Sequence, residues 1–157
     1  KPDGTVTAAN ASGINDGACA MVIMSADRAK NLGLTPLAKL LSTVTVGCAP
    51  EIMGIGPVYA IPRAIEMAGL TQQDVDYYEI NEAFAAQVVP CLRELGIPLE
   101  KVNANGSGIA LGHPVGMTGI RLIVSGYYEL KRRGLKYGCG ALCAGGGPAM
   151  AAVFEII

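Results

Sequence analysis

One histidine in 157 residues is too few for the common zinc sites. Cys139 and Cys143 stand four apart, but nothing nearby completes a ligand set, so no metal is expected. Charge is equally scarce. Twelve Lys and Arg against thirteen Asp and Glu leave a formal net charge of −1, which gives no electrostatic footprint for nucleic acid or an acidic membrane surface. No apolar run reaches the length of a bilayer crossing, and no secretory leader opens the chain, so neither a membrane nor an export route is expected. The start, Lys1-Pro2-Asp3-Gly4, carries no initiator methionine and suggests a processed or truncated product.

Several nucleotide and hydrolase signatures are missing too. Gly106-Ser107-Gly108 followed by Gly112 has the wrong spacing for a dinucleotide fingerprint. The three glycines after Cys143 lack the lysine of a phosphate loop, and no Gly-x-Ser-x-Gly elbow is present. The five cysteines, Cys19, Cys48, Cys91, Cys139 and Cys143, are odd in number and irregular in spacing. That is no disulfide framework, and it places the chain in a reducing compartment, the cytoplasm or an organelle matrix. Cys19, Cys48 and Cys91 read as buried thiols.

What the sequence does have is apolar content, 51% of residues, in a length that suits one compact domain. Ala18 to Met24 and Ala38 to Val46 are apolar runs of strand length, with a short helix capped by Ser25 between them. Gly56-Pro57 starts a helix carrying Val58, Ile61, Ile65 and Ala68 on one face, with Pro62 predicting a late start or a bend. Thr71 and Asp74 form a capping box, and Val75 to Ile80 reads as a strand. Asn81 opens the next helix, with Phe84, Val88, Leu92 and Leu95 on one face, a kink at Pro90 and Gly96 beyond its end. Asn103 to Gly116 is loop. A helix follows with Ile120, Ile123, Tyr127 and Leu130 as its stripe, closed by a solvated Lys131-Arg132-Arg133-Gly134. Tyr137 to Leu142 and Ala149 to Ile157 form an antiparallel pair. The order predicts an α/β layered fold with a mixed sheet flanked by helices.

Three polar residues stand at element ends, where such folds place chemistry. Asn81 is either a helix cap or a carboxamide that donates to a bound oxygen. His113 lies among Gly112, Pro114 and Gly116, and Pro114 biases it toward an extended backbone that fixes its imidazole. Cys143 adjoins Gly145, Gly146 and Gly147, whose bare backbone N–H groups a substrate oxygen can approach.

Asn81-Glu82-Ala83-Phe84-Ala85, Gly106 to Pro114 and Cys143-Ala144-Gly145-Gly146-Gly147 resemble, in this order, segments of the thiolase family. Asn10 to Gly17 and Met53 to Pro57 are similar to thiolase segments as well. The resemblance implies a CoA-dependent acyltransferase that condenses two acyl-CoA thioesters or cleaves a 3-ketoacyl-CoA with free CoA. It implies that Cys143 is the acid/base cysteine and that His113 activates the nucleophile. It also implies that Asn81 holds a water in the oxyanion hole and that Gly145 donates its N–H to the tetrahedral intermediate. Ser12, Ala83 and Phe84 fall where the family contacts pantetheine or the acyl group. CoA and acyl-CoA are then substrates, no cofactor is tightly bound, and the intact protein is a homo-oligomer, dimer or tetramer.

The resemblance further implies two similar halves. Residues 1–35 would be a tail of the preceding half and residues 36–157 the C-terminal domain. The nucleophilic cysteine would lie in the half that is missing here, so this chain alone would be inactive. Two other readings remain at this stage: a non-catalytic acyl-binding domain of the same fold, and a ketosynthase of the same superfamily. Against the ketosynthase stands Asn81, where such enzymes usually carry a second histidine.

Overall fold

The computed structural model describes residues 2–157, so Lys1 of the opening tetrapeptide lies outside the described residues. Ser25 caps the first helix, α1 (Ala26–Asn31), its hydroxyl accepting from the Arg28 N–H at 3.2 Å. The first strand is β1 (Ala38–Gly47). Helix α2 (Gly56–Met67) begins at Gly56-Pro57 and runs on through Pro62. The Thr71–Asp74 capping box is formed, with the Thr71 N–H 2.7 Å from Asp74 Oδ2. Strand β2 is Tyr77–Ile80 and helix α3 is Ala85–Leu95, the latter continuing through Pro90. A single turn, α4 (Gly108–Leu111), lies inside the expected loop, and α5 (Thr118–Arg133) follows. Helices α3 and α5 both end on glycines in the left-handed region, Gly96 at φ 62° and Gly134 at φ 67°. The chain finishes with β3 (Tyr137–Cys143) and β4 (Pro148–Ile156).

The four strands lie in the order β1-β4-β3-β2. β4 pairs antiparallel with both β1 and β3, whereas β3 and β2 are parallel. Parallel strands need a crossover, and the stretch from α3 to α5 supplies it. Side chains alternate between the two faces of the sheet, which makes two cores. Ile61 and Ile65 of α2 and Val88 and Leu92 of α3 pack with Tyr78, Ile80, Ala141 and Val153 on one face. Tyr127 and Leu130 of α5 cover Tyr77 and Phe154 on the other. Burying each large apolar side chain of this kind contributes about 1.5–3 kcal/mol.

Several expectations are corrected. Ala18 to Met24 is not a strand: it has no regular structure, and Val22 and Ile23 are 83% and 74% exposed. No strand pairs with it among the described residues. Helix α3 starts at Ala85, with Phe84 in the cap position, so Asn81 does not open it. Cys19 and Cys48 are half-buried and only Cys91 is buried as expected; all five thiols are free. The basic run that closes α5 is exposed as expected, and two of its members also reach a buried partner. Arg132 and Arg133 both pair with Glu129, whose side chain is only 1% exposed, and Arg133 also lies over the Tyr77 ring. A buried carboxylate in the last turn of α5 needs those cations.

Candidate active site

Because β2 and β3 are parallel, Asn81 and Cys143 leave the sheet at the same end. The Asn81 N–H donates to the Ala141 carbonyl at 2.9 Å, which holds the first residue after β2 beside the end of β3. Asn81 is 0% exposed, and neither its Oδ1 nor its Nδ2 finds a hydrogen-bond partner among the described residues. That is unusual, since a buried unpaired amide costs about 1–3 kcal/mol. The chain also passes close over it. A Cβ on Gly108 would stand 2.9 Å from Asn81 Oδ1 and 2.6 Å from the Glu82 carbonyl, so only glycine fits there.

The loop that carries Gly108 is anchored by Asn103, in the left-handed region at φ 46°. Its side chain accepts from the Ile80 N–H and donates to the Ile80 carbonyl, both at 2.8 Å, and Nδ2 also reaches Glu82 Oε1 at 3.1 Å. Ser107, wholly buried, donates its hydroxyl to the same Ile80 carbonyl at 3.2 Å. The loop is thereby fastened to the end of β2, and five residues after Gly108 it presents His113.

His113 is half-buried. Its Nδ1 lies 2.7 Å from Thr118 Oγ1, and its backbone N–H donates to Asn15 Oδ1 at 3.1 Å. Burial, and secondarily the charge of Arg121, hold the imidazole below its ordinary pKa, favouring the neutral ring. Arg121 itself is unusual: all three guanidinium nitrogens are buried without a hydrogen-bond partner among the described residues.

Cys143 ends β3 and is 6% exposed. Burial pushes its thiol upward, so a shift toward neutral pH is not what this environment produces. The turn after it divides labour among its glycines. Gly147, at φ 104°, packs against the Cys48 backbone so closely that a Cβ would collide with the Cys48 carbonyl. Its own carbonyl accepts from the Cys48 N–H at 2.9 Å and the Cys48 thiol at 3.2 Å. Gly145 is exposed with open space around its α-carbon, and its N–H donates to no group among the described residues.

The leading segment contributes directly. The Ser12 N–H donates to the Ala83 carbonyl at 2.9 Å and the Ala85 N–H to the Asn10 carbonyl at 2.8 Å, with Ala11 bridged to Phe84. Residues 10–15 thus run beside the Asn81 loop and reach His113 through Asn15. Ser12, Ala83, Phe84, Asn81 and the His113 loop form one contiguous set, and Cys143 and Gly145 stand one strand away. No hydrogen bond joins Asn81, His113 and Cys143 to one another among the described residues. No three of His, Cys, Asp or Glu gather closely enough there to hold a metal ion, and no described helix is long and apolar enough to cross a membrane.

Sequence reading missed Asn15, Asn103, Thr118 and Arg121. Asn103 offered a signal, as an asparagine heading a glycine-rich loop, where a positive φ is tolerated. Arg121 offered none, because a helix surface is where an arginine is ordinarily found.

The family model described as "Thiolase, C-terminal domain" matches residues 34–156, and the one described as "Thiolase, N-terminal domain" matches residues 1–27. The 3-ketoacyl-CoA thiolase of Bacillus subtilis is 53% identical over 154 residues, covering 98% of this chain and 39% of the relative. The crystal structure of the Bacillus anthracis acetyl-CoA acetyltransferase superposes with a TM-score of 0.96 at 51% identity, over 99% of this chain and 39% of that one. Human mitochondrial 3-ketoacyl-CoA thiolase in complex with CoA gives a TM-score of 0.92 at 45% identity, over 99% and 39%. The chain spans about two fifths of the length of these relatives. With the C-terminal family model covering most of its residues, on the mixed sheet described above, the chain belongs to the thiolase family.

Proposed function

We propose that this chain supplies the proton-transfer and oxyanion half of a CoA-dependent thiolase site. The reaction is condensation of two acetyl-CoA molecules, or cleavage of a 3-ketoacyl-CoA by CoA. Residues 36–157 are the C-terminal domain and residues 1–35 a tail of the preceding half, which carries the nucleophilic cysteine. CoA and acyl-CoA act as substrates and no cofactor is tightly bound. The intact protein is a homo-oligomer of the cytoplasm or an organelle matrix.

The observation that carries this reading is Asn81, a wholly buried carboxamide with no hydrogen-bond partner among the described residues, at the end of the sheet where Cys143 ends β3. An amide kept unsatisfied at that cost suits a donor reserved for a bound water or reacting oxygen. The Gly145 N–H, free in its turn, is a second donor, and one such donor is typically worth about 3 kcal/mol of transition-state stabilisation. His113, held neutral, takes the proton of the nucleophilic thiol and then donates it toward the thioester oxygen. Cys143 moves the C2 proton: it stays protonated until substrate enters, because burial disfavours its thiolate. Proton transfer by a positioned group contributes about 10²–10⁴-fold. Ser12, Ala83 and Phe84, joined side by side, line the approach for pantetheine or the acyl group.

The test is a chimera in which this chain replaces the matching segment of the Bacillus subtilis relative. The chimera is expected to consume acetoacetyl-CoA in the presence of CoA, and Cys143→Ala to abolish turnover. The 157-residue chain alone is expected to show none. Turnover by the chain alone, lost on Cys143→Ala, would contradict the two-thiol reading.

A further inference from the structure

We infer that Thr118 is a positioning residue that fixes neutral His113 as its Nδ1–H tautomer and leaves Nε2 as the proton acceptor. Thr118 Oγ1 sits between two groups, His113 Nδ1 at 2.7 Å and the Pro114 carbonyl at 2.9 Å. The side chain is wholly buried, so water offers no alternative partner. A threonine hydroxyl has one proton, and a carbonyl oxygen can only accept. If that proton turned to Nδ1, Oγ1 and the Pro114 oxygen would face each other at 2.9 Å with nothing between them. With the proton on the Pro114 side, Oγ1 accepts from Nδ1–H and both contacts are satisfied. The back-bond to the carbonyl four residues earlier is also the habit of a threonine in the first turn of a helix, and Thr118 opens α5.

The inference rests on the proposed function for its consequence. A thiol proton moves to Nε2 as the sulfur attacks the acyl carbon. The resulting imidazolium keeps Nδ1–H on Thr118, and its Nε2–H then points at the oxygen that gains charge. A ring of the other tautomer would present Nε2–H at the start and could not take that proton. The Asn15 contact to the His113 N–H fixes the backbone from the opposite side and leaves the ring to Thr118.

His113 is the only histidine, so a chain labelled with ¹⁵N-histidine gives one imidazole spectrum. At a pH where the ring is neutral, wild type is expected to show a protonated, pyrrole-type Nδ1 and a pyridine-type Nε2. Thr118→Ser, which keeps the hydroxyl, is expected to match it. Thr118→Val, nearly the same shape without the hydroxyl, is expected to lose the Nδ1–H signal. A wild-type spectrum dominated by Nε2–H would overturn the inference without any variant, and so would a valine variant indistinguishable from wild type. The spectrum needs no turnover, so its failure is distinct from a failure of the thiolase reading.

Discussion

The side chain of Asn103 occupies the place of a missing strand beside Ile80, accepting from its N–H and donating to its carbonyl at 2.8 Å each. β2 is an edge strand of four residues, and this amide, with Ser107 as a second donor to the carbonyl, satisfies the backbone of its last residue. Asn103→Ala is therefore expected to cost about 1–3 kcal/mol in denaturant unfolding, since the Ile80 N–H loses its partner and the Ile80 carbonyl keeps only Ser107. Asn103→Asp should cost more, because a carboxylate turns an acceptor toward the Ile80 carbonyl. Equal stability of the aspartate variant and wild type would refute the bracket.

Glu79 carries a second expectation. It is 2% exposed, and burial raises its carboxyl to about 7, against the lowering pull of the Tyr77 hydroxyl and Arg121; Glu82 and Glu129 push it further up. The folded state therefore holds a proton that the unfolded chain releases near pH 4.5. On this group's account stability falls as pH rises from about 4.5 to about 7. Glu79→Gln, which can still accept from the Tyr77 hydroxyl, is expected to remove that fall. The difference between variant and wild type should grow across this window to something on the order of 2–3 kcal/mol. Parallel stability curves for the two proteins would contradict it.

The strands β1, β3 and β4, the helices α2 and α5 and their glycine stops were legible from period and glycine punctuation, although α2 starts at Gly56 and not late, as Pro62 had suggested it could. Three things were not. Ala18 to Met24 has the apolarity of a strand, but a strand also needs a neighbour, and local sequence does not say whether one is present. Asn81 has the residue type of a helix cap. It is not one, because α3 starts at Ala85 with Phe84 in the cap position, and Asn81 instead lies buried under Gly108, which comes from a distant loop. Lys131, Arg132 and Arg133 are exposed as read, but the pairing of Arg132 and Arg133 with a buried Glu129 was not legible, because that glutamate reads as an ordinary surface residue. Asn81 and Cys143 stood out only as polar residues at element ends, and that they lie at one end of the sheet depends on the parallel pairing of β2 with β3, which local sequence does not show.

Thiol reactivity should follow exposure. Cys19 and Cys48 are half-buried, whereas Cys91, Cys139 and Cys143 are buried, with burial pushing Cys91 to about 11 and Cys139 to about 12. An alkylating agent at neutral pH is expected to label Cys19 and Cys48 first and Cys143 much more slowly, read by peptide mass spectrometry. Cys143 labelled ahead of both would mean that its thiolate is stabilised by something other than the groups seen here.

The unpaired amide of Asn81 predicts a trade of stability against activity. Asn81→Leu removes a buried polar group without a large change of volume, so the variant is expected to unfold at a higher denaturant concentration, by about 1–2 kcal/mol. A destabilised variant would show instead that the amide is satisfied in solution and serves the fold.

The central claim is that Asn81 is held unsatisfied for the reacting oxygen, and the turnover of Asn81→Ala in the Bacillus subtilis chimera tests it most directly. The kcat for CoA-dependent cleavage of acetoacetyl-CoA is expected to fall about 10²–10³-fold, with KM nearly unchanged, because the contact is made in the transition state. A kcat within a few-fold of the unmutated chimera would contradict the account.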